Sequence, residues 1–296
     1  MRAIVLGSAA GGGFPQWNSN AQACRRARAG EPAARPRTQA SIAVSGDGPL
    51  WTVMNASPDL RQQIEATAEL HPSTGLRSSP IGAVVLTGAE VDCVAGLLSL
   101  RERQPFELFA TARIHAVLDA NPIFDVLDRN IVTRRVISLD EDVTLPGGVA
   151  LRLFSVAGKV PLYLEGAAEA AEDDTVGARL SHAGAELFYV PACAAMTPSL
   201  SDRLRGADTV MFDGTLWRDD EMILAGLGPK TGRRMGHMSV SGDGGAIEAF
   251  AELGVRRKML LHINNSNPVL LDDSPERAEV ERAGWQVAFD GMRVEF

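Results

Sequence analysis

The segment Val85–Gly96, "VLTGAEVDCVAG", joins an apolar, β-branched run to the apolar segment "AGLLSLRE" through a short polar loop. Enzymes that assemble a metal centre at the end of a strand place ligands in such a loop, usually as histidines. Here the corresponding positions hold Gly88, Glu90, Asp92 and Cys93. The segment therefore predicts either a metal site with altered ligands or the remnant of one.

Working outward, short runs rich in Val, Ile, Leu, Phe or Thr alternate with glycine-rich turns and helical segments. Strands cluster and helices follow, twice over, which predicts an α/β protein with two β-rich halves packed face to face under outer helices. Ser57 and Ser274, each followed by proline, are predicted N-caps of the helices in "SPDLRQQIEATAEL" and "SPERAEVERAG". No linker of Pro, Ser and Gly character divides the chain, so residues 1–296 are predicted to form a single domain.

Composition excludes several classes of protein. The chain has 296 residues, 45% of them apolar, and a net charge of −8, which argues against binding nucleic acid through phosphate neutralisation. No apolar run approaches the roughly 20 residues that span a bilayer, and "MRAIVLGSAAGGG" predicts a first strand rather than a signal peptide. Three widely separated cysteines fit a reducing cytoplasm better than a disulfide framework. We therefore expect a cytoplasmic protein with no nucleic-acid or membrane partner, and the sequence leaves a homodimer open.

Several polar residues follow apolar strands, where loops converge on pockets. Asp92 and Cys93 follow "AVVL", Asp213 ends "TVMFD", His262 lies in "LLHINN", and His237 follows a glycine-rich loop. With five histidines in the chain, any metal site must draw on carboxylates, a thiolate or both. For His262, metal ligation and ordinary core hydrogen bonding are open alternatives, because an unpaired buried polar group costs about 1–3 kcal/mol.

A set of longer blocks carries a family resemblance. The blocks are "LGSAAGGGFPQWN", "RPRTQASIAVS", "NASPDLRQQI", "GLRSSPI", "VDCVAGLLSLRE", "FDGTLW", "GPKTGRRMGHMSVSG" and "LLHINNSNPVL". Together they resemble the PqqB family of pyrroloquinoline quinone (PQQ) biosynthesis proteins, within the metallo-β-lactamase superfamily. The resemblance covers almost the whole chain, in order. It implies an αββα sandwich with an active site at one rim of the two sheets.

The superfamily signature Thr-His-x-His-x-Asp-His-x-x-Gly corresponds here to residues 87–96. Gly88 and Glu90 replace the first two histidines, as the resemblance leads one to expect, since PqqB proteins lack them. Asp92 is kept, but Cys93 stands where PqqB proteins have histidine, and Lys159 falls where the superfamily has a further first-site histidine. The resemblance thus implies that a two-metal hydrolytic centre is absent.

A single-metal site remains, for which the resemblance implies the ligands Asp92, Cys93 and His262, with Asp213 as a fourth. Such a set suits one Fe(II) or Zn(II) with an open coordination position. Asp213 and His237 match positions where the related tRNase Z enzymes keep an acidic residue and the histidine of "His-x-Thr/Ser". Their implied catalytic role is proton transfer.

The N-terminal region departs from the family. PqqB proteins commonly carry "WNCxCxxC", a structural zinc knuckle, where this chain has Ser19, Ala21 and Cys24. A hydroxyl and a methyl group are poor zinc ligands. The sequence therefore predicts no structural zinc at the N-terminus.

The resemblance implies a role in making PQQ from a peptide that contains Glu and Tyr, through Fe(II)- and O2-dependent hydroxylation of the tyrosine ring. Such a substrate needs a pocket for the ring and a cationic anchor for carboxylates. The predicted anchors are Arg37, Lys230, Arg233 and Arg234, with Trp17 and Phe14 packing on the ring. Two alternatives stay open: a paralogue that oxidises a different modified peptide, and a metal-free protein that binds or carries PQQ or an intermediate.

Overall fold

The computed structural model describes residues 1–166, 169 and 171–296, and within them the chain forms fourteen strands and nine α-helices. The strands are β1 (Arg2–Gly7), β2 (Ser41–Ser45), β3 (Trp51–Met54), β4 (Ile81–Val85), β5 (Phe106–Ala110), β6 (Val132–Val136), β7 (Asp142–Thr144), β8 (Ala150–Ser155), β9 (Val176–His182), β10 (Ala185–Val190), β11 (Thr209–Asp213), β12 (Arg257–Leu261), β13 (Trp285–Val287) and β14 (Arg293–Glu295). The helices are α1 (Gln22–Arg28), α2 (Leu60–Ala66), α3 (Val91–Val94), α4 (Ala112–Asp119), α5 (Pro198–Leu204), α6 (Glu221–Leu224), α7 (Gly232–Met235), α8 (Ala246–Ala249) and α9 (Pro275–Arg282).

The strands of the described residues form two seven-stranded sheets. The first has the order β14-β1-β2-β3-β4-β5-β6, and the second has the order β13-β12-β11-β10-β9-β8-β7. In each sheet one part is antiparallel and the other parallel, with β3 to β6 parallel in the first sheet and β10 to β13 parallel in the second. The two halves of the chain therefore repeat one arrangement.

The central strands of both sheets are buried on both faces, for example β2, β3 and β11, so their alternating side chains form an inner and an outer core layer. Between the sheets, side chains of the first sheet such as Val5, Ile42 and Val85 pack against Leu151, Tyr189 and Met259 of the second. The outer face of the first sheet packs on helical residues that include Leu60 and Ile114, and that of the second on residues that include Leu200 and Val280. The predicted αββα sandwich is confirmed.

The two predicted helix caps had different outcomes. The Ser274 hydroxyl accepts a hydrogen bond from the Arg277 amide at 3.0 Å, as predicted for α9. The prediction for Ser57 is wrong, because α2 begins three residues later at Leu60. The Ser57 hydroxyl instead donates to Gln63 Oε1 at 3.0 Å, since the chain first makes a turn in which the Ser57 carbonyl accepts from the Leu60 amide.

Three strands end at the same rim of the sandwich. Parallel strands present their carboxyl ends on one edge, and loops that leave this edge converge. β4 leads into α3, β11 ends at Asp213, and β12 ends immediately before His262. Asp213 pairs with Leu261 across the β11–β12 ladder, which sets the polar ends of the two strands side by side. Among the described residues, no helix has the length and apolar character needed to cross a bilayer.

Gly96, the last residue of the opening segment, packs against the backbone that follows β3. A Cβ there would overlap the Ser57 carbonyl oxygen and lie 2.9 Å from the Ala56 carbonyl carbon. We expect Gly96→Ala to lower the free energy of unfolding by about 1–3 kcal/mol, the usual cost of overpacking, in urea denaturation. Gly48→Ala is the matched control, because its Cβ would meet nothing closer than 3.9 Å. Equal unfolding midpoints for the two variants would show that the Gly96 contact is unimportant.

Candidate metal centre

A cavity of about 720 Å³ opens at this rim, between the ends of the two sheets. Glu90, Asp92 and Cys93 line it from the loop after β4 and from α3. His262 lines it from the end of β12, and His237 lines it from the loop that follows α7. The structure therefore brings five residues from three distant segments, positions 90–93, 237 and 262, to one cavity.

Asp213 lies behind the two histidines and is fully buried. Its Oδ1 accepts from the Thr215 amide at 3.0 Å and the Thr215 hydroxyl at 2.6 Å. Its Oδ2 accepts from the Cys193 amide at 2.9 Å and from His237 Nδ1 at 2.7 Å. A carboxylate offers about four lone-pair sites, and all four are used here. These bonds give Asp213 a role in orienting His237. One of its oxygens also lies within 4.8 Å of ligand atoms of His237 and His262, so direct metal binding by Asp213 stays a prediction.

The tautomer of His262 follows from the same network. The Thr215 hydroxyl lies 2.6 Å from Asp213 Oδ1 and gives its one hydrogen to that charged acceptor, so it accepts from His262 Nδ1 at 2.8 Å. The Nε2 atom of His262 then carries a free lone pair. It lies 3.7 Å from Asp92 Oδ2, too far for a hydrogen bond. Two ligands of one zinc ion lie about 3.4 Å apart when each is about 2.1 Å from the metal at the tetrahedral angle. Asp92 and His262 therefore fit a shared Zn(II) or Fe(II).

His262 has both a raised pKa and a left-handed backbone conformation. Burial alone would lower its pKa, but Asp92 and Asp213 outweigh burial and raise the pKa above the ordinary value. Its φ angle of 56° is in the left-handed region, which is unfavourable for a residue with a Cβ. The Thr215 hydroxyl also lies 3.0 Å from the His262 carbonyl oxygen, so one side chain contacts both the ring and the backbone of this histidine. Asn55, which also lines the cavity, has a φ angle of 60°.

Cys93 is half-buried and lies on the same wall as Asp92. Burial raises the pKa of its thiol well above the ordinary value, and the charges of Asp92 and Glu90 raise it further. Since the thiolate is the form that binds metal, ligation by Cys93 must work against this shift. Among the described residues, the group with ligand atoms within 4.8 Å of one another does not include Cys93; its members are Asp213, His237 and His262. His237, expected only as a proton-transfer residue, thus joins the candidate metal ligands. Asp92 is outside this group as well as Cys93, so the ligand roles of Asp92 and Cys93 both stay predictions.

Two lysines form ion pairs at the other side of the cavity. Lys159 Nζ lies 3.2 Å from Glu90 Oε1 and 2.9 Å from Glu165 Oε1. Lys230 Nζ lies 3.5 Å from Glu165 Oε2. Both lysines line the cavity, which agrees with the predicted position of Lys230 as an anchor. The sequence reasoning did not assign the ammonium group of Lys159 a substrate-binding role. The sequence does contain a signal for this role: the chain has three lysines in all, so a lysine at a position of the superfamily ligand set is unusual.

The other predicted anchors lie elsewhere. The Arg37 side chain is 4% exposed, donates to the Ala288 carbonyl and has its pKa lowered to about 10 by burial, so it is a core residue. Trp17 is 84% exposed and does not line the cavity. Arg233 and Arg234 are exposed on α7, and Arg233 borders a separate depression with Met196. The predictions for Arg37, Trp17 and Arg233 are therefore corrected, because short sequence distance to a glycine-rich loop does not fix where a side chain points.

The N-terminal stretch that replaces the zinc knuckle is packed against the second half of the chain. Cys24 is fully buried, and its thiol lies 3.6 Å from Asn265 Oδ1. Ser19 is buried, and its hydroxyl accepts from the Ala21 amide at 3.3 Å. Cys24 is the one thiol of this stretch, and zinc sites of this kind use several thiolates. The lack of a structural zinc here stays a prediction.

The chain is similar to known proteins over almost its whole length. Residues 50–263 match the family model described as the beta-lactamase superfamily domain. Coenzyme PQQ synthesis protein B of Gluconacetobacter diazotrophicus is 62% identical over 98% of both chains, and that of Gluconobacter oxydans is 53% identical over 98% of this chain and 96% of the relative. The crystal structure of Zn(2+)-bound PqqB from Methylobacterium extorquens has a TM-score of 0.97 at 51% identity over the full length of both chains. A diphosphatase of the PhnP family, 21% identical with a TM-score of 0.70, shares the fold.

Thr215 gives a direct test of the hydrogen-bond network. Thr215→Val keeps the shape of the side chain but removes the hydroxyl that joins Asp213 to His262. We expect zinc affinity to fall about 10- to 100-fold, as is typical when a group that orients a ligand is removed. Competition with a fluorescent chelator measures this change.

Thr209→Val is the matched control, because Thr209 is a fully buried threonine in β11 whose hydroxyl has no partner within the described part of the chain. Its zinc affinity should equal that of the wild type. A Thr215→Val protein that binds zinc as tightly as Thr209→Val would contradict the proposed role of the hydroxyl.

Proposed function

Since the chain belongs to the coenzyme PQQ synthesis protein B family of the beta-lactamase superfamily, we propose that it is a metal-dependent oxygenase of PQQ biosynthesis. The substrate class is a small peptide, or a tyrosine derivative, that carries carboxylates, and the reaction adds oxygen to the aromatic ring. The structural relative from Methylobacterium extorquens is Zn(2+)-bound, which supports metal binding by this chain.

The observation that carries the proposal is the pair formed by Asp92 Oδ2 and His262 Nε2, 3.7 Å apart on the wall of one cavity. These two residues would hold the ion, with His237 beside them, its ring stacked on that of His262 at 5.1 Å. A bound Fe(II) supplies O2 activation, and its N and O ligands match the donors available here. Because the first-site histidines are replaced by Gly88 and Glu90, a two-metal hydrolytic reaction has too few ligands.

The remaining steps belong to the side chains of the cavity. Its volume of about 720 Å³ suits a dipeptide-sized ligand, since small-molecule sites occupy about 300–1,000 Å³. Val91, Leu162 and Met235 offer an apolar wall for an aromatic ring. His237 donates from Nδ1 to Asp213, so its Nε2 is free to take up a proton that the ring loses.

The alternative function is a metal-free protein that binds or carries PQQ or an intermediate. The specific observation in its favour is the Lys159 ammonium group, which stands in the place of a first-site histidine and pairs with the carboxylates of Glu90 and Glu165, so it offers an anion a charge without any metal. The raised pKa of Cys93 also weakens the one thiolate ligand predicted from the sequence.

Oxygen incorporation separates the two functions. The protein is loaded with Fe(II) without air and exposed to O2 in the presence of a tyrosine-containing peptide and ascorbate, and the peptide mass is measured. Ascorbate is the reductant that supplies the two electrons needed to turn the second oxygen atom of O2 into water. We expect a gain of one oxygen, because Asp92 and His262 would hold an Fe(II) that supplies O2 activation. Asp92→Asn and His262→Gln should each abolish the gain, and Lys258→Met, far from the cavity, should keep it. No gain with iron-loaded wild-type protein would favour the carrier.

Cys93→His restores the Asp-His pair of the superfamily signature. We expect the wild type to hold about one metal per chain loosely, and the variant to bind it at least about tenfold tighter, because a neutral imidazole binds without losing a proton. Metal analysis after purification without chelators measures both. If the wild type holds no metal, and the variant gains both metal and O2-dependent turnover, the native protein is a binder.

A further inference from the structure

We propose that Lys159 and Lys230 form a binding pair for a substrate carboxylate, which Glu165 occupies in the free protein and the substrate carboxylate takes over on binding. The inference rests on the proposed function for the identity of the substrate, and it adds the subsite that recognises its acidic group. It also gives Lys159 a role as a substrate-binding residue.

The geometry is that of one carboxylate held between two ammonium groups. Glu165 Oε1 lies 2.9 Å from Lys159 Nζ, and Glu165 Oε2 lies 3.5 Å from Lys230 Nζ. The two lysines come from different segments, the loop after β8 and the loop before α7, and both line the cavity. A substrate carboxylate placed in the cavity meets the same two charges that Glu165 now meets.

Glu90 and Glu165 bind Lys159 in different ways. Glu90 also accepts from the Leu162 amide with both of its oxygens at 3.2 Å, so it is tied to the backbone on the opposite side of the lysine. Within the described residues, the hydrogen bonds and ion pairs of the Glu165 carboxylate are those to the two lysines. Glu90 and Glu165 are about equally exposed, at 37% and 35%, so the backbone bonds of Glu90 are what distinguishes the two. Glu90 therefore fixes the Lys159 ammonium in position, while Glu165 is the partner that a ligand displaces.

The distribution of cationic residues supports a binding role. The chain carries 29 lysines and arginines, and two of its three lysines line this one cavity. Lysine is a compact charge with three donors, which suits a carboxylate that must exchange between an internal and an external partner. A rigid bidentate arginine would hold the internal Glu165 more firmly. The ligand class is thus a small acid, whose carboxylate replaces that of Glu165.

Calorimetric titration of the metal-free, full-length protein with glutamyl-tyrosine tests the pair. We expect Lys159→Met and Lys230→Met each to weaken binding about tenfold, the typical effect of losing a hydrogen bond to a charged group. Lys159→Arg keeps the charge but holds Glu165 more firmly, so it should weaken binding less than Lys159→Met does. Glu165→Gln should tighten binding about two- to fivefold, because the internal competitor is lost.

Two controls accompany these variants. Lys258→Met removes the lysine that lies outside the cavity, where its Nζ donates to the Ala283 carbonyl, and Glu186→Gln removes a carboxylate paired with Arg179 far from the site. Both should bind the dipeptide like the wild type. Glutaminyl-tyrosine amide, which lacks both carboxylates, should bind more weakly to the wild type and be insensitive to Lys159→Met.

Glu165→Gln with unchanged or weaker affinity would overturn the displacement. Wild-type affinity in Lys159→Met, or no binding of the dipeptide by the wild type, would overturn the pair itself. Because the titration needs neither metal nor turnover, the pair can stand when oxygen incorporation fails. In the same way, oxygenation of a peptide with no effect of Glu165→Gln leaves the proposed function standing without the pair.

Discussion

The four hydrogen bonds of Asp213 are the constraint on which the rest of the site depends. A buried carboxylate is costly unless its charge is compensated by donors, and here two backbone amides, one hydroxyl and one imidazole do so. The amides come from Cys193 and Thr215, at the ends of neighbouring parallel strands, so the site can form only once the second sheet is assembled. In turn, the carboxylate fixes the hydrogen of the Thr215 hydroxyl and of His237. The tautomers of His237 and His262 are therefore set by the buried Asp213 carboxylate.

The architecture was predictable because its signals are local and repeated. Runs of β-branched residues, turn glycines and the cap at Ser274 each act over a few neighbours, and the structure confirms the αββα sandwich. The cap at Ser57 failed for a physical reason: serine followed by proline suits both a helix start and a turn. Contact with Gln63, which comes from tertiary packing, decided between them. Pattern alone could not choose, since both conformations use the same side chain.

Site residues that directly follow strands could be predicted from the sequence. Contacts between residues on opposite sides of the cavity could not. Asp92 and His262 follow buried strands, and the structure brings them together. The roles of Thr215 and of the two lysines depend on loops from distant parts of the chain. Arg37 shows the opposite error, since a buried arginine that satisfies the backbone looks the same in sequence as one that binds ligand.

Two residues of the cavity wall, Asn55 and His262, adopt left-handed backbone angles that side chains with a Cβ seldom take. Such conformations persist only where the surrounding contacts enforce them, as Thr87 does for Asn55 and Thr215 for His262. At each position, an unfavourable backbone conformation directs a polar side chain toward its partner. Glycine would relieve the backbone at either position but would remove the acceptor of the buried Thr87 amide at Asn55 and the donor to the Thr215 hydroxyl at His262. A laboratory selection for heat resistance would therefore retain Asn55 although its backbone is strained.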